Sequence, residues 1–65
     1  MKKIIINRIK CKRCKDILES NFTHDLKFCS CGAVGVDGGK DYLKRIARDT
    51  FDDIEELSIV EEITE

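Results

Sequence analysis

The chain has no proline, no tryptophan, a single histidine and only four aromatic residues among 65. Its longest uninterrupted apolar run is Ile4-Ile5-Ile6, far short of the ~20 residues a membrane-spanning helix requires. Asn7, Arg8 and Lys10 interrupt the same stretch before it reaches the length of a secretion signal. The expected location is therefore the cytoplasm, with neither a membrane nor a small-molecule substrate as partner. His24 has no nucleophile or acid set beside it, so no enzyme is expected. Asp37-Gly38-Gly39-Lys40 falls short of a phosphate-binding loop and reads as a tight turn. No internal repeat or low-complexity linker divides the chain, which predicts a single domain over 1–65.

A chain of this length buries roughly 60% of its unfolded-state surface, and ordering costs nearly cancel the gain. Some cross-link must hold it together. The four cysteines, Cys11, Cys14, Cys29 and Cys31, are the candidates. In a reducing cytoplasm, clustered cysteines point to a metal rather than to disulfides. A Cys-x2-Cys pair and a Cys-x-Cys-Gly pair each bend the backbone into a knuckle. Two knuckles supply four thiolates to one Zn²⁺, and a full protein ligand set makes such a site structural. The second pair has one intervening residue where zinc ribbons have two. His24 competes as a ligand but reads better as an exposed loop residue. Cys11-Lys12-Arg13-Cys14 is not a thioredoxin-type pair, because no βαβ pattern surrounds it.

The net charge of -1 conceals a division. Residues 1–48 hold all 12 Lys and Arg with five acids, whereas 49–65 hold eight acids and no base. The first part is thus +7 and the second -8. Such asymmetry marks an interaction surface or an acidic segment screening a basic body. Lys10, Lys12, Arg13, Lys15 and Lys27 lie beside the cysteines and offset the negative charge of a zinc–tetrathiolate cluster.

Alternation from Lys3 to Lys10 predicts a first strand that delivers the chain into the first knuckle. Asp16 to Glu19 is a short strand or one helical turn, and Leu26 to Cys29 a returning strand. Ala33 to Val36, the Asp37–Lys40 turn and Tyr42 to Ile46 form a hairpin. Leu43, Ile46, Ala47, Phe51, Ile54 and Leu57 also fit helical spacing, so a long helix from Asp41 competes. The preferred reading starts a helix near Phe51. Asp49 and Thr50 cap it, and Asp53 completes a capping-box-like pattern. Ile54 and Leu57 then dock on the sheet. Residues 58–65 either fray or use Ile59, Val60 and Ile63 to pack or to meet a partner. The expected fold is small, metal-stabilised α+β: a zinc-ribbon-like antiparallel sheet (1–48) with an acidic C-terminal helix (49–65).

Ile9-Lys10-Cys11-Lys12-Arg13-Cys14, Cys29-Ser30-Cys31-Gly32-Ala33-Val34, Val36-Asp37-Gly38-Gly39 and Asp41-Tyr42-Leu43 together resemble a group of small proteins. These are encoded by phages and prophages of low-GC Gram-positive bacteria. The resemblance spans roughly residues 5–57. It extends to the zinc-binding type II-A anti-CRISPR proteins, which inactivate the host's RNA-guided DNA nuclease. It implies an inhibitor whose partner is that nuclease. Such nucleases present broad positive channels, which suits the acidic segment. Asp49, Asp52, Asp53, Glu55, Glu56, Glu61 and Glu62 are the expected contacts, around an apolar centre of Ile59, Val60 and Ile63. The alternative is a zinc-ribbon nucleic-acid binder with Arg8, Lys10, Lys12, Arg13, Lys15 and Lys27 on phosphates. No aromatic residue stands within Arg8–Lys15 to stack on bases.

Overall fold

Residues 2–62 are described by the structure, a computed structural model. Strand β1 (Lys2–Cys11) is followed by β2 (Ile17–Ser20), β3 (Lys27–Phe28), β4 (Val34–Asp37) and β5 (Lys44–Ala47). A single 3₁₀ turn over Phe51–Asp53 leads into β6 (Ile54–Glu56) and β7 (Ile59–Glu62). All pairing is antiparallel. One sheet is built around β1, with β2 on one edge and β6 and β7 along the other; the second has the order β3-β4-β5.

The expected α+β fold with a C-terminal helix over 49–65 is corrected to an all-β fold. Among the described residues there is no α-helix. The cap itself forms, with Thr50 Oγ1 accepting the Asp52 N–H at 3.2 Å. The helix stops after one turn, and Ile54 is already extended at φ -98° and ψ 122°. Two forces decide this. Ile54, Ile59 and Val60 are β-branched and favour strand over helix. In addition, the ten-residue β1 is longer than any other strand and its second edge needs main-chain partners. The segment fills that edge with a register of Cys11↔Ile54, Lys10↔Glu55 and Ile9↔Glu56. It continues as Ile6↔Ile59, Ile4↔Val60, Lys3↔Glu61 and Lys2↔Glu62, with a register shift between Ile4 and Ile6. At the break between β6 and β7, Leu57 N–H donates to Arg8 O at 3.0 Å and Ser58 Oγ accepts Arg8 N–H at 2.9 Å. Fraying is likewise replaced by strand pairing over 59–62, where Ile59 and Val60 stay exposed, and Ile63 lies outside the described residues.

Within the described residues, the acidic stretch 49–62 therefore lies beside the basic β1 rather than at an opposite end. Opposite charges facing across a ladder contribute roughly 0.2–1 kcal/mol each. Lys2, Lys3 and Lys10 each face a glutamate in this way.

The alternatives left open at Asp16–Glu19 and from Asp41 resolve to the strands β2 and β5, and β3 and β4 form where expected. Val34 and Val36 of β4 pack with Ile9, Cys11, Cys29 and Ala33, and Leu18, Ile54 and Cys14 close the cluster. None of the four aromatic residues joins this core: Phe22, Phe28, Tyr42 and Phe51 are all exposed. The two sheets are joined by a buried polar node. Asn7 Nδ2 donates to Asp37 O at 3.0 Å, Gly39 O at 2.8 Å and Tyr42 O at 3.2 Å. Its Oδ1 accepts Arg45 Nη1, and Arg45 also grips both Glu56 oxygens at 2.8 and 2.6 Å. Ser20 Oγ accepts Gly39 N–H at 2.9 Å and donates to Asp25 O at 2.9 Å. The β4–β5 turn is thereby sewn onto the β1 sheet.

Candidate metal centre

Cys11 ends β1 and is fully buried, so alternation along the strand aims its thiol into the core. The chain then folds back, with Lys15 N–H donating to Cys11 O at 2.9 Å and Cys11 N–H to Asp16 O at 2.8 Å. This brings Cys14 N–H to 3.5 Å from Cys11 Sγ. The second knuckle repeats the plan, with Gly32 N–H on Cys29 O at 3.0 Å and Cys29 N–H on Val34 O at 3.1 Å. Gly32 has φ 72°, the left-handed turn expected after the last cysteine. Lys15, in the same place after Cys14, also has a positive φ, of 68°.

The four sulfurs lie within 4.8 Å of one another. Cys11 Sγ is 3.7 Å from Cys31 Sγ, which is 3.5 Å from Cys29 Sγ. A tetrahedron of Zn–S bonds near 2.3 Å has S···S edges of about 3.8 Å. The donor set and its spacing therefore fit a four-coordinate metal ion, with Cys11 and Cys29 buried and Cys31 on the exposed side. His24 stands apart in an exposed turn with φ 68° and is not in the cluster.

Without metal the thiols share protons unequally. Burial opposes ionising Cys29, but a backbone bond at Val34 and the Cys31, Cys11 and Cys14 side chains outweigh it and lower its pKa to about 6. Cys31 moves up to about 11. Its backbone bond at Ala33 favours the thiolate, yet burial and bonding to the other three sulfurs prevail. Backbone bonds at Asp16 and Cys31 lower Cys14. The cluster thus carries thiolate character that a cation can take over.

The short second spacer has its own support. Asp16 Oδ2 accepts Ser30 N–H at 2.7 Å and the Ser30 hydroxyl as well. Both bonds hold the Asp16 carboxyl below the ordinary range. One carboxylate from the first knuckle thus clamps the residue between Cys29 and Cys31. Arg48 Nη1 donates to Cys31 O at 3.2 Å from the other side. Asp16, Ser30 and Arg48 carry no spacing signature, which is why sequence reasoning passed over them.

Of the seven acids expected as partner contacts, Asp49 precedes the 3₁₀ turn and the other six lie along that turn, β6 and β7. Asp49 pairs with Arg13 at 3.0 Å and Arg48 at 3.2 Å, and Asp53 with Arg13 at 2.8 Å. Glu56 pairs with Arg45, while Glu55, Glu61 and Glu62 face Lys10, Lys3 and Lys2. Asp52 is exposed on the turn. Of the basic residues beside the cysteines, Arg13 turns to the C-terminal acids. Lys27 turns to Glu19 O and Asp25, at 2.8 and 3.2 Å.

Fold and site together define a small all-β protein with a four-cysteine cluster positioned to hold a metal ion. No helix among the described residues is long and apolar enough to cross a membrane. The family model described as "Domain of unknown function (DUF7695)" matches residues 3–47, and the chain belongs to that family. The matched stretch contains β5 and all four cysteines but ends before the acidic segment. No curated protein and no solved structure matches the chain.

Proposed function

We propose that this protein is a zinc-stabilised binding module of the bacterial cytoplasm that works by occupying a macromolecular partner and not by catalysis. The convergence of four thiols from two knuckles carries the reading. Tetrahedral sulfur donors suit Zn²⁺, and a site filled by four protein ligands keeps no position open for substrate. The metal's role is then to order a chain whose core is small.

The partner is a host nucleic-acid-handling protein, and the resemblance to anti-CRISPR proteins names the type II-A RNA-guided nuclease. The acidic segment supports such a partner only where its charges are not already held by Arg13, Arg45 and Arg48; Asp52, Glu55, Glu61 and Glu62 are exposed and in no ion pair among the described residues. Elemental analysis of purified protein tests the metal, with one zinc per chain expected. A DNA cleavage assay with the nuclease tests the partner. Inhibition at near-stoichiometric protein is expected, and full cleavage under large molar excess rejects this target.

A further inference from the structure

We propose that Cys31 is a modification site for oxidants: its sulfur reacts first with a hydroperoxide, and the disulfide that follows expels the metal. This inference rests on the zinc reading above. The four thiols are not equivalent. Cys11 is 0% and Cys29 5% exposed, Cys14 is half-buried, and Cys31 alone is exposed. An oxidant arriving from solvent therefore meets Cys31 before the other three.

The exposed sulfur sits on a fixed backbone with room beside it. Ser30, just before it, donates its N–H to Asp16 Oδ2 at 2.7 Å, and Arg48 Nη1 donates to the Cys31 carbonyl at 3.2 Å. The next residue, Gly32, has no side chain to shield the thiol. Apart from its chain neighbours, a Cβ at that position would find only Arg48 Nη1 within 4 Å, at 3.9 Å. The approach past Gly32 is open to a molecule as small as hydrogen peroxide.

Two resolving sulfurs are already close. Cys29 Sγ is 3.5 Å and Cys11 Sγ 3.7 Å from Cys31 Sγ. A disulfide at about 2.05 Å needs only a short further approach from either. An accessible thiolate beside a resolving thiol is the arrangement that redox-sensing cysteines use.

Metal binding removes the Cys31 proton, so the loaded protein presents a thiolate at its surface. That thiolate attacks one peroxide oxygen; an S–O bond forms, the O–O bond breaks and hydroxide leaves. Cys31 is oxidised by two electrons to a sulfenic acid, and the peroxide is reduced. The thiolate of Cys11 or Cys29 then attacks the Cys31 sulfur, forming the S–S bond and expelling a second hydroxide. One peroxide is consumed per disulfide, and both hydroxides take up protons to become water. The metal loses two of its four donors and dissociates. Oxidation thereby removes what orders the chain, and a dithiol reductant reverses it by regenerating both thiols.

The test treats the zinc-loaded protein with hydrogen peroxide in the presence of a chromogenic zinc indicator. Zinc release is expected in step with loss of the strand signal in circular dichroism, and a dithiol with added Zn²⁺ restores the signal. A dimedone probe present during early oxidation should label Cys31 about tenfold more than any other cysteine. Tryptic mapping at limiting peroxide should find Cys31 in the first disulfide. Retention of zinc under excess peroxide overturns the proposal. So does a first label on Cys11, Cys14 or Cys29, or a first disulfide that leaves Cys31 out. All of these readouts use the parent chain, so none depends on how a ligand variant folds. Elemental analysis before oxidation separates the two readings: a protein without zinc sinks the zinc reading, while the dimedone label still decides on Cys31.

Discussion

Asn7 Oδ1 accepts a hydrogen bond from Arg45 Nη1 at 2.7 Å, joining residues 38 positions apart in sequence and the two sheets of the fold. Asn7 is 1% exposed, and its amide serves three carbonyls of the Asp37–Tyr42 turn. Asn7→Leu removes every one of these bonds and leaves buried carbonyls unpaired. A loss of about 3 kcal/mol is expected in urea unfolding of the zinc-loaded protein. A change below ~1 kcal/mol would mean that the turn is held by its own contacts.

Metal removal should unfold the chain. Site formation and folding are coupled in finger-sized proteins, with apparent zinc free energies of about 10–16 kcal/mol. A strong chelator is expected to abolish the strand signal in circular dichroism, and added Zn²⁺ to restore it. Cys11→Ser, at a buried ligand, should be more damaging than Cys31→Ser at the exposed one. An unchanged melting curve under chelation would refute a structural metal.

The clamp between Asp16 and Ser30 predicts weaker metal binding when it is cut. Groups that orient ligands typically account for about 10–100-fold in affinity. Ser30→Ala removes the hydroxyl bond and spares the N–H bond, so it should act less strongly than Asp16→Ala. Competition with a chromophoric chelator measures both. Equal affinities across parent and variants would show that the backbone alone sets the tight knuckle.

Lys15 adopts φ 68°, a region that costs a residue with a side chain about 1–2 kcal/mol. Lys15→Gly should therefore stabilise the zinc-loaded protein by about 1 kcal/mol, less the extra entropy of the unfolded glycine. Thermal unfolding reads the sign. A lower melting temperature would show that the lysine contributes more through its charge than it loses in backbone strain.

Acid should weaken the protein through its paired carboxylates. Burial alone would raise the Glu56 pKa, but the bonds from Arg45 and Ser58 hold it below the ordinary value. Asp25 is lowered chiefly by the Asn21 N–H, with help from Lys27. A carboxyl depressed in the folded state stabilises above its unfolded pKa, near 4, and loses that contribution as pH falls through the folded pKa. Protons also compete with the metal for thiolates. Stability should thus fall on acidification, and Glu56→Gln should flatten the part of the curve below pH ~4.5. An unchanged slope would place Glu56 outside the pH response.

Much of the molecule is legible from residue order. Cysteine spacing brings out both knuckles, because two thiols a few residues apart can converge on one ion only by turning the chain. The alternation from Lys3 to Lys10 identifies β1, and Thr50 does cap a turn. Lys15 escapes notice because a lysine carries no mark of a left-handed backbone. Asp16 and Ser30 escape because they are 14 positions apart and meet only once both knuckles have formed.

Cysteine content and spacing, the strand character of β1, β3 and β4 and the charge division are thus properties of the chain itself, since each rests on local chemistry. The fate of residues 49–62 is not. Ile54 and Leu57 satisfy a helical period, and Ile54, Ile59 and Val60 equally suit a strand. What chose between them is the open edge of β1, whose residues pair with partners some 43 to 60 positions away. Pairing at that range sets glutamates opposite lysines, and folding places Asp49, Asp53 and Glu56 against Arg13, Arg48 and Arg45.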